Sequence, residues 1–158
     1  MTLKKQLVVS ALIPDYLGRI FVQKRTMTRR MFPGCWDLVG GHVEENEDAL
    51  SALEGEIYEE TGWTLREVAH ELTTKLWHDG PNEYEERQFI VNVDGDLRKP
   101  ALETNKVSDW MWVDRANVEK LKEKRKPGDQ WIYNSVMEAL GVLERRPAPD
   151  RRVDSKSP

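Results

Sequence analysis

The stretch GGHVEENEDALSALEGEIYEETGW, residues 40–63, decides the fold of this chain. After a pair of glycines and a polar turn, it carries Glu56, Glu59 and Glu60 close together. On an α-helix, residues three and four positions apart are neighbours, so these carboxylates fall within an arc of about 100° and repel one another. A divalent cation would reverse the sign of that interaction, because hard cations bind carboxylate and backbone carbonyl oxygens.

The same stretch contains signals for both ends of a helix. Asn46 is a favourable N-cap, and acidic residues follow it in the first turn. Gly62 stands where a left-handed C-terminal cap belongs. The apolar residues that recur at helical spacing, and that we expect to face the core, are Ala49, Leu50, Leu53 and Ile57.

Glutamates at this spacing are, by themselves, most often a solvated helix face, especially in a chain with 28 acidic residues. The wider pattern favours a different interpretation. It resembles the signature of the Nudix hydrolase superfamily: G, five residues, E, seven residues, R, E, apolar, any, E, E, any, G, apolar. Eight of its nine fixed places are matched in register, by Gly41, Glu47, Glu56, Ile57, Glu59, Glu60, Gly62 and Trp63.

One fixed place departs from the signature, because Gly55 stands where the family has arginine. Glycine weakens a helix by about 1 kcal/mol relative to alanine. In the family this arginine orients a glutamate of the metal cluster, so its absence raises the question of what holds Glu59. The candidates to replace it are Arg25, Arg29 and Arg30.

The resemblance covers about residues 6 to 142. FPGCWDLVGG, residues 32–41, is similar to the segment that precedes the signature in many members, and SDWMWV, residues 108–113, to their tryptophan-bearing strand. The implied fold is α/β, a Nudix-type α/β/α sandwich around a mixed β-sheet, in one domain over residues 1–143. Residues 144–158 lack apolar content and are expected to form a disordered tail.

Local patterns predict the other elements. Two apolar runs at 6–13 and 19–25, separated by a turn, indicate an opening hairpin. Further strands are expected near 36–39 and at 65–77, 86–93 and 109–113, and helices at 115–124 and 128–140, the last stopping at Gly141.

The resemblance implies hydrolysis of the diphosphate bridge in a nucleoside diphosphate linked to another group, as in a nucleoside triphosphate. The implied cofactor is Mg²⁺, with Mn²⁺ as an alternative. The implied metal ligands are Gly41 through its carbonyl, Glu56, Glu59, Glu60 and, from a later loop, Glu103. Glu56, Glu59 and Glu60 are also the implied catalytic residues, with Glu59 or Glu56 as general base. The alternative for Glu103 is an ordinary loop glutamate.

Four further residues are candidates for substrate binding. Arg25 matches a position where relatives carry a nucleotide-contacting arginine, and Lys106 lies where a subset of nucleotide-cleaving members carries a lysine. Trp36 is a candidate to stack on a base, although tryptophan is usually part of the core. His42 follows Gly41 and is a candidate phosphate contact, or simply a turn residue.

Composition excludes several other classes. A formal charge of −4 and a pI near 5.5 argue against stable nucleic-acid binding, which needs a basic surface. Cys35 is the only cysteine, which excludes an internal disulfide and fits a cytoplasmic protein. No apolar run approaches the roughly 18 to 20 residues needed to cross a membrane.

The expected partner is a small nucleotide or other diphosphate. The oligomeric state is open, and a homodimer is one of the possibilities.

Two other functions compete with the hydrolase. One is an isopentenyl-diphosphate isomerase-like Nudix enzyme, since PGCWD and GGHV are also similar to that branch, although Cys35 lies ahead of the glycine pair. The other is a non-catalytic nucleotide-binding module, in which Gly55 has removed the catalytic geometry. Retention of all three glutamates of the signature argues against the module.

Overall fold

The computed structural model describes residues 5–146. Within that range the strands are β1 (Gln6–Leu12), β2 (Ile20–Arg25), β3 (Trp36–Asp37), β4 (Val39–His42), β5 (Thr64–Glu71), β6 (Lys75–Asp79), β7 (Asn82–Asp94) and β8 (Val107–Val113). The helices are α1 (Ala49–Thr61) and α2 (Trp131–Glu144), with short 3₁₀ turns at Val118–Lys122 and Pro127–Asp129. The predicted tail falls outside the described residues except for 144–146, of which Glu144 still belongs to α2.

The strands form two sheets. The larger has the order β4-β1-β7-β5, with β6 also paired to β7, and it is mixed because β1 runs parallel to β7 while the other pairs are antiparallel. The smaller is antiparallel, with the order β3-β2-β8. The predicted α/β class with a mixed sheet is confirmed.

The helices cover opposite faces of the larger sheet, because side chains alternate along its strands. Val9 and Ala11 of β1 belong to the apolar cluster that contains Leu53 of α1. Leu12, the last residue of β1, belongs to the cluster that contains Ile132 of α2. Both clusters are closed to solvent, so the two layers of core hold the sheet between the helices.

Helix α1 lies where the sequence predicts it, but its N-terminus differs. The N-cap is Asp48 rather than Asn46, and its side chain accepts a 2.9 Å hydrogen bond from the Ser51 amide. Gly62 forms the predicted left-handed cap, with φ of 77°. Leu50 is 45% exposed, so it lies outside the buried stripe that Leu53 and Ile57 form.

The predicted opening hairpin is wrong. The two arms pair only next to the turn, where Pro14 bridges to Ile20 and the Phe21 amide donates a 3.0 Å hydrogen bond to the Ile13 carbonyl, and β1 and β2 themselves join different sheets. The run at 65–77 is two strands, β5 and β6, because both pair with successive halves of the 13-residue β7. The segment 115–124 holds a 3₁₀ turn rather than an α-helix, and α2 continues through Gly141.

A single residue, Leu38, separates β3 from β4, so the chain passes there from the smaller sheet to the larger. The glycine pair follows immediately in β4. This crossing places the start of the signature stretch where the two sheets meet.

Candidate active site

A cavity of about 410 Å³ is lined by residues of both sheets and both helices. On one side lie three carboxylates of α1, Glu56, Glu59 and Glu60, which we call the acidic face. On another side lie three aromatic rings, Phe32, Trp77 and Trp131, which we call the aromatic wall. The cavity therefore combines a carboxylate surface suited to a cation with an apolar surface suited to a ring.

The glycine of the signature lies directly against the acidic face. A Cβ built at Gly41 would collide with the carboxyl group of Glu56. The absence of a side chain at Gly41 lets the Glu56 carboxyl group occupy this space, and a larger residue would have to displace that group. A Cβ at Gly40 would instead collide with the carbonyl oxygen of Val9 on the neighbouring strand.

Glu60 is held by both sheets. Its Oε1 accepts a 2.7 Å hydrogen bond from the amide of Gln23 on β2, and its Oε2 accepts a 3.2 Å bond from the backbone amide of Gly40 on β4. Glu60 also lies next to the carboxyl group of Glu56. Burial, and then the adjacent Glu56, raise the pKa of Glu60 well above its ordinary value.

The pKa of Glu56 is raised as well, first by burial and then by the negative charges of Glu59 and Glu103. Lys106 acts in the opposite direction on Glu56 and lies 3.7 Å from Glu103. The structure thus brings Glu103 and Lys106, the residues predicted from the later loop, to the acidic face, although they are far from that face in the sequence.

The predicted metal ligands are not assembled into a finished site. In the described range 5–146, no group of three or more Asp, Glu, His or Cys side chains is arranged so that it could hold a metal ion. Glu60 in particular is committed to Gln23 and Gly40. The chemistry of the donors nevertheless fits Mg²⁺, because the acidic face and Glu103 offer oxygen atoms and a cation would offset the repulsion between the adjacent carboxyl groups of Glu56 and Glu60.

Of the arginines considered as replacements for the missing one, Arg25 is engaged elsewhere. Its Nε donates a 2.7 Å hydrogen bond to the carbonyl of Met31, and its Nη1 lies 3.5 Å from Asp37. Burial lowers the pKa of Arg25, and Asp37 opposes that effect. Arg29 also lines the cavity. At Gly55 itself the space is open, since a Cβ added there would meet no neighbouring atom within 4 Å.

The other predicted substrate contacts have different positions. Arg25, His42 and Lys106 all line the cavity. Trp36 does not: its side chain is 5% exposed and belongs to the core cluster with α2. The expectation that Trp36 stacks on a base is therefore corrected, because the neighbouring Asp37 is the residue of β3 that faces the cavity.

Sequence reasoning missed Glu86, a buried carboxyl group in the cavity wall. It accepts hydrogen bonds from Ser10 Oγ at 2.7 Å, Gln88 Nε2 at 2.6 Å and Trp77 Nε1 at 2.9 Å. Burial, and then the charge of Asp37, raise the pKa of Glu86. The sequence contained a signal for this burial. Glu86 and Gln88 alternate along β7 with more exposed residues, so they occupy positions of the strand where buried apolar side chains are expected.

Comparison with known proteins decides the family. The model of the NUDIX domain matches residues 4–135. The chain belongs to the Nudix hydrolase family. The resemblance in the signature and the α/β fold are thereby confirmed, and the chain is a Nudix enzyme.

Individual relatives of this Nudix hydrolase are distant. It is 26% identical over 149 residues to an RNA pyrophosphohydrolase of Roseobacter denitrificans, covering 84% of this chain and 89% of that protein. It is 29% identical over 91 residues to an 8-oxo-dGTP diphosphatase of Proteus vulgaris, covering 58% and 79%. An uncharacterized Nudix hydrolase of Nostoc sp. is 33% identical over 84 residues, and the match spans 52% of this chain and about half of that relative, 48%.

Solved structures support the fold of this Nudix chain. A MutT protein from Methanosarcina mazei superimposes with a TM-score of 0.71 at 22% identity, covering 92% of this chain and 99% of the other. Members of the family generally use a divalent metal and act on diphosphates. Among the described residues, the helices are too short or too polar to span a membrane.

Proposed function

We propose that this Nudix hydrolase cleaves the diphosphate bond of a nucleoside triphosphate, or of a related nucleoside diphosphate derivative, with Mg²⁺ at the acidic face. The observation that carries the proposal is the pair Glu56 and Glu60, two adjacent carboxyl groups beside Gly41 in a cavity. Two carboxyl groups so placed repel one another when both are charged, and a bound cation removes that repulsion.

The residues that would hold the ion are Glu56, Glu59, Glu60 and Glu103, with the carbonyl of Gly41. When bound, Mg²⁺ neutralises phosphate charge and lowers the pKa of a coordinated water. Within the acidic face, Glu59 or Glu56 is the proposed general base that accepts the proton of the attacking water. Glu59 is the more exposed of the two, which leaves its carboxylate accessible to solvent.

Cations at the cavity rim are proposed to position the phosphates. Lys106 lies beside Glu103 and can turn its three N–H donors toward a phosphate oxygen. His42 and Arg29 also line the cavity and provide further donors. Arg25, in this proposal, acts mainly by fixing the loop at Met31. The whole site lies within the proposed single domain of residues 1–143.

The names of the relatives are consistent with a nucleotide substrate. One is an RNA pyrophosphohydrolase and another an 8-oxo-dGTP diphosphatase, and both names denote action on a phosphate chain attached to a nucleoside. A chain with a formal charge of −4 favours the free nucleotide over a nucleic-acid end.

The isomerase alternative is not favoured. It depended on the similarity of PGCWD, but Cys35 is 2% exposed and its thiol lies 3.6 Å from the carbonyl of Lys124. The residue does not line the cavity. A thiol in that position contacts core and loop atoms rather than a substrate.

The test is a hydrolysis assay with purified protein and Mg²⁺. The substrates are nucleoside triphosphates, nucleotide sugars, dinucleoside polyphosphates and ADP-ribose, and the product is identified by chromatography. Release of a nucleoside monophosphate supports the proposal. Saturable binding without any product would instead support the non-catalytic module.

A matched pair of variants tests the site. Glu59→Gln removes one charge from the acidic face and is expected to reduce turnover at least about a hundredfold, the usual contribution of a general base. Glu54→Gln removes the same charge from an exposed position of the same helix that does not line the cavity, and its turnover should equal that of the parent. Equal activity of both variants would show that the assigned cluster is wrong.

A further inference from the structure

The cavity wall between the acidic face and the aromatic wall contains a fixed hydrogen-bond acceptor, Glu86. Ser135 of α2 donates to Gln88 and is fixed by the carbonyl of Trp131, and Gln88 in turn donates to Glu86. Ser10 and Trp77 complete the set of donors to Glu86. The carboxyl group is therefore held rigidly by residues from four separate elements.

This carboxyl group retains unused capacity. A carboxylate has about four acceptor sites, and three are filled here. The Asp37 carboxylate lines the same cavity, is 26% exposed, and is close enough to act electrostatically on Glu86. Its contact with Arg25 is long, 3.5 Å. The cavity wall thus presents two hydrogen-bond acceptors, the carboxyl groups of Asp37 and Glu86. These groups favour N–H donors and disfavour phosphate.

Two buried polar atoms of cavity-lining side chains have no partner within the described residues. They are the indole N–H of Trp131, a residue that is 9% exposed, and Oε1 of Gln23, which is 5% exposed. Buried polar groups are nearly always paired in native proteins, so an unpartnered group in a cavity wall is available to a ligand or a water that enters the cavity. Trp131 needs an acceptor, and Gln23 needs a donor.

The aromatic wall is rigid. Trp77 stacks on Trp131 with ring centroids 4.9 Å apart and on Tyr84 at 4.1 Å. Phe32 packs edge-on against Trp77 and Trp131 and adopts a left-handed backbone with φ of 48°, which is costly for a bulky residue. A strained backbone persists only where the surrounding residues hold it in place. Phe32 is therefore held in a fixed position at the edge of the cavity.

We propose that Asp37, Glu86 and Trp131 form the subsite for a nucleobase that carries an exocyclic amino group beside a ring acceptor, as cytosine, guanine and adenine do. The two carboxyl groups accept from the amino group and, in guanine, from the adjacent ring N–H, while the Trp131 indole donates to a ring nitrogen or carbonyl. With Mg²⁺ bound at the acidic face, the phosphate chain would point to that face and away from the two acceptors. This inference rests on the proposed function and specifies its substrate class.

The experiment compares nucleotides that differ at the amino group. We expect the parent to hydrolyse CTP faster than UTP, or GTP faster than ITP, by about tenfold or more in kcat/KM, since a site that hydrogen-bonds a donor rejects the analogue without it. In Glu86→Gln and in Asp37→Asn the ratio should fall toward one, through KM, with kcat little changed. Asp37→Asn serves as the second variant because Asp37 is partly exposed and outside the core.

The matched control is Glu85→Gln. It removes the same charge from the preceding residue of β7, whose side chain does not line the cavity, so the nucleotide ratio should equal that of the parent. A ratio near one in the parent, or a ratio that neither Glu86→Gln nor Asp37→Asn changes, would overturn the inference.

Calorimetric binding of nucleoside monophosphates separates this inference from the proposed hydrolysis. CMP should bind more tightly than UMP, or GMP more tightly than IMP, whether or not any triphosphate is turned over. Hydrolysis of triphosphates without such a preference would leave the proposed function intact and reject the subsite. Preference without hydrolysis would support the subsite and reject the proposed function.

Discussion

The side-chain amide of Gln23 donates a 2.7 Å hydrogen bond to Glu60 and so ties β2 of the smaller sheet to α1. The other oxygen of Glu60 accepts from the Gly40 amide in the larger sheet. One carboxyl group therefore joins both sheets to the helix that carries the acidic face. The separation of the sheets at the cavity depends on this junction.

Removing the amide should weaken the fold measurably. In Gln23→Leu the buried Glu60 loses a donor, and we expect the free energy of unfolding to fall by about 1–3 kcal/mol. Urea unfolding in the absence of divalent ions measures the change. Gln6→Leu, at an exposed position of β1, is the control and should have little effect. Equal stability of the two variants would contradict the structural role of Gln23.

The two glycines of β4 should respond differently to alanine. At Gly40 the added Cβ meets the backbone of Val9, so Gly40→Ala should destabilise the protein or prevent folding. At Gly41 it meets the Glu56 carboxyl group, which can rotate away, so Gly41→Ala should fold but lose most of its Mg²⁺-dependent activity. Circular dichroism and the hydrolysis assay distinguish these outcomes. A fully active Gly41→Ala variant would show that the position of Glu56 is unimportant.

Arginine at position 55 should stabilise α1. The site is open, and arginine has a helix propensity close to that of alanine, so Gly55→Arg should add about 0.5–1 kcal/mol. For a protein of this size the melting temperature should rise by about 1–4 °C. Gly55→Ala separates propensity from the guanidinium group: both variants should gain stability, and only the arginine should raise kcat. A kcat equal in the two variants would show that the missing guanidinium has no catalytic consequence here.

The buried carboxyl group of Glu86 should make stability depend on pH. Because its folded pKa is raised by burial, the folded state binds more protons than the unfolded state above the ordinary value of 4.5. The stability that protonated Glu86 contributes is complete below that value and is lost as pH rises through the folded pKa. Glu86→Gln does not titrate, so its stability relative to the parent should improve as the pH rises from about 4.5 through the folded pKa of Glu86.

Urea unfolding of the parent and of Glu86→Gln at several pH values measures this trend. Glu85→Gln again provides the comparison, because the same charge is removed outside the cavity wall. If the difference between Glu86→Gln and the parent stays constant over this range, Glu86 is not the group that titrates.

The local features of the chain were predictable from its sequence. The span of α1 and its cap at Gly62 follow from apolar spacing and from glycine at a left-handed position, both of which are encoded within one stretch. The acidic face follows from the spacing of Glu56, Glu59 and Glu60. What the sequence could not supply was pairing between distant segments: β1 takes β7 as its parallel neighbour, with Gln6 beside Tyr84.

The same limit applies to the site. Glu86 gains its environment from Ser10, Trp77 and Gln88, which come from three strands, so alternation along β7 signals its burial but not its hydrogen-bond partners. On β3 the sequence prediction named the wrong residue of a pair. Trp36 was expected to contact the substrate, but Trp36 is buried and Asp37 is the residue that lines the cavity. In a two-residue strand nothing in the alternation says which side chain faces inward.

Cys35 gives the protein a natural position for chemical labelling. Its thiol is the only one in the chain, and the residue is 2% exposed. Burial also raises the pKa of the thiol. A thiol reagent therefore reacts with Cys35 only after the loop between β2 and β3 detaches from the carbonyl of Lys124. The rate of modification therefore reports how often that loop opens. Nucleotides that hold the loop closed will slow the reaction, and this provides a kinetic measure of occupancy that needs neither turnover nor an engineered probe.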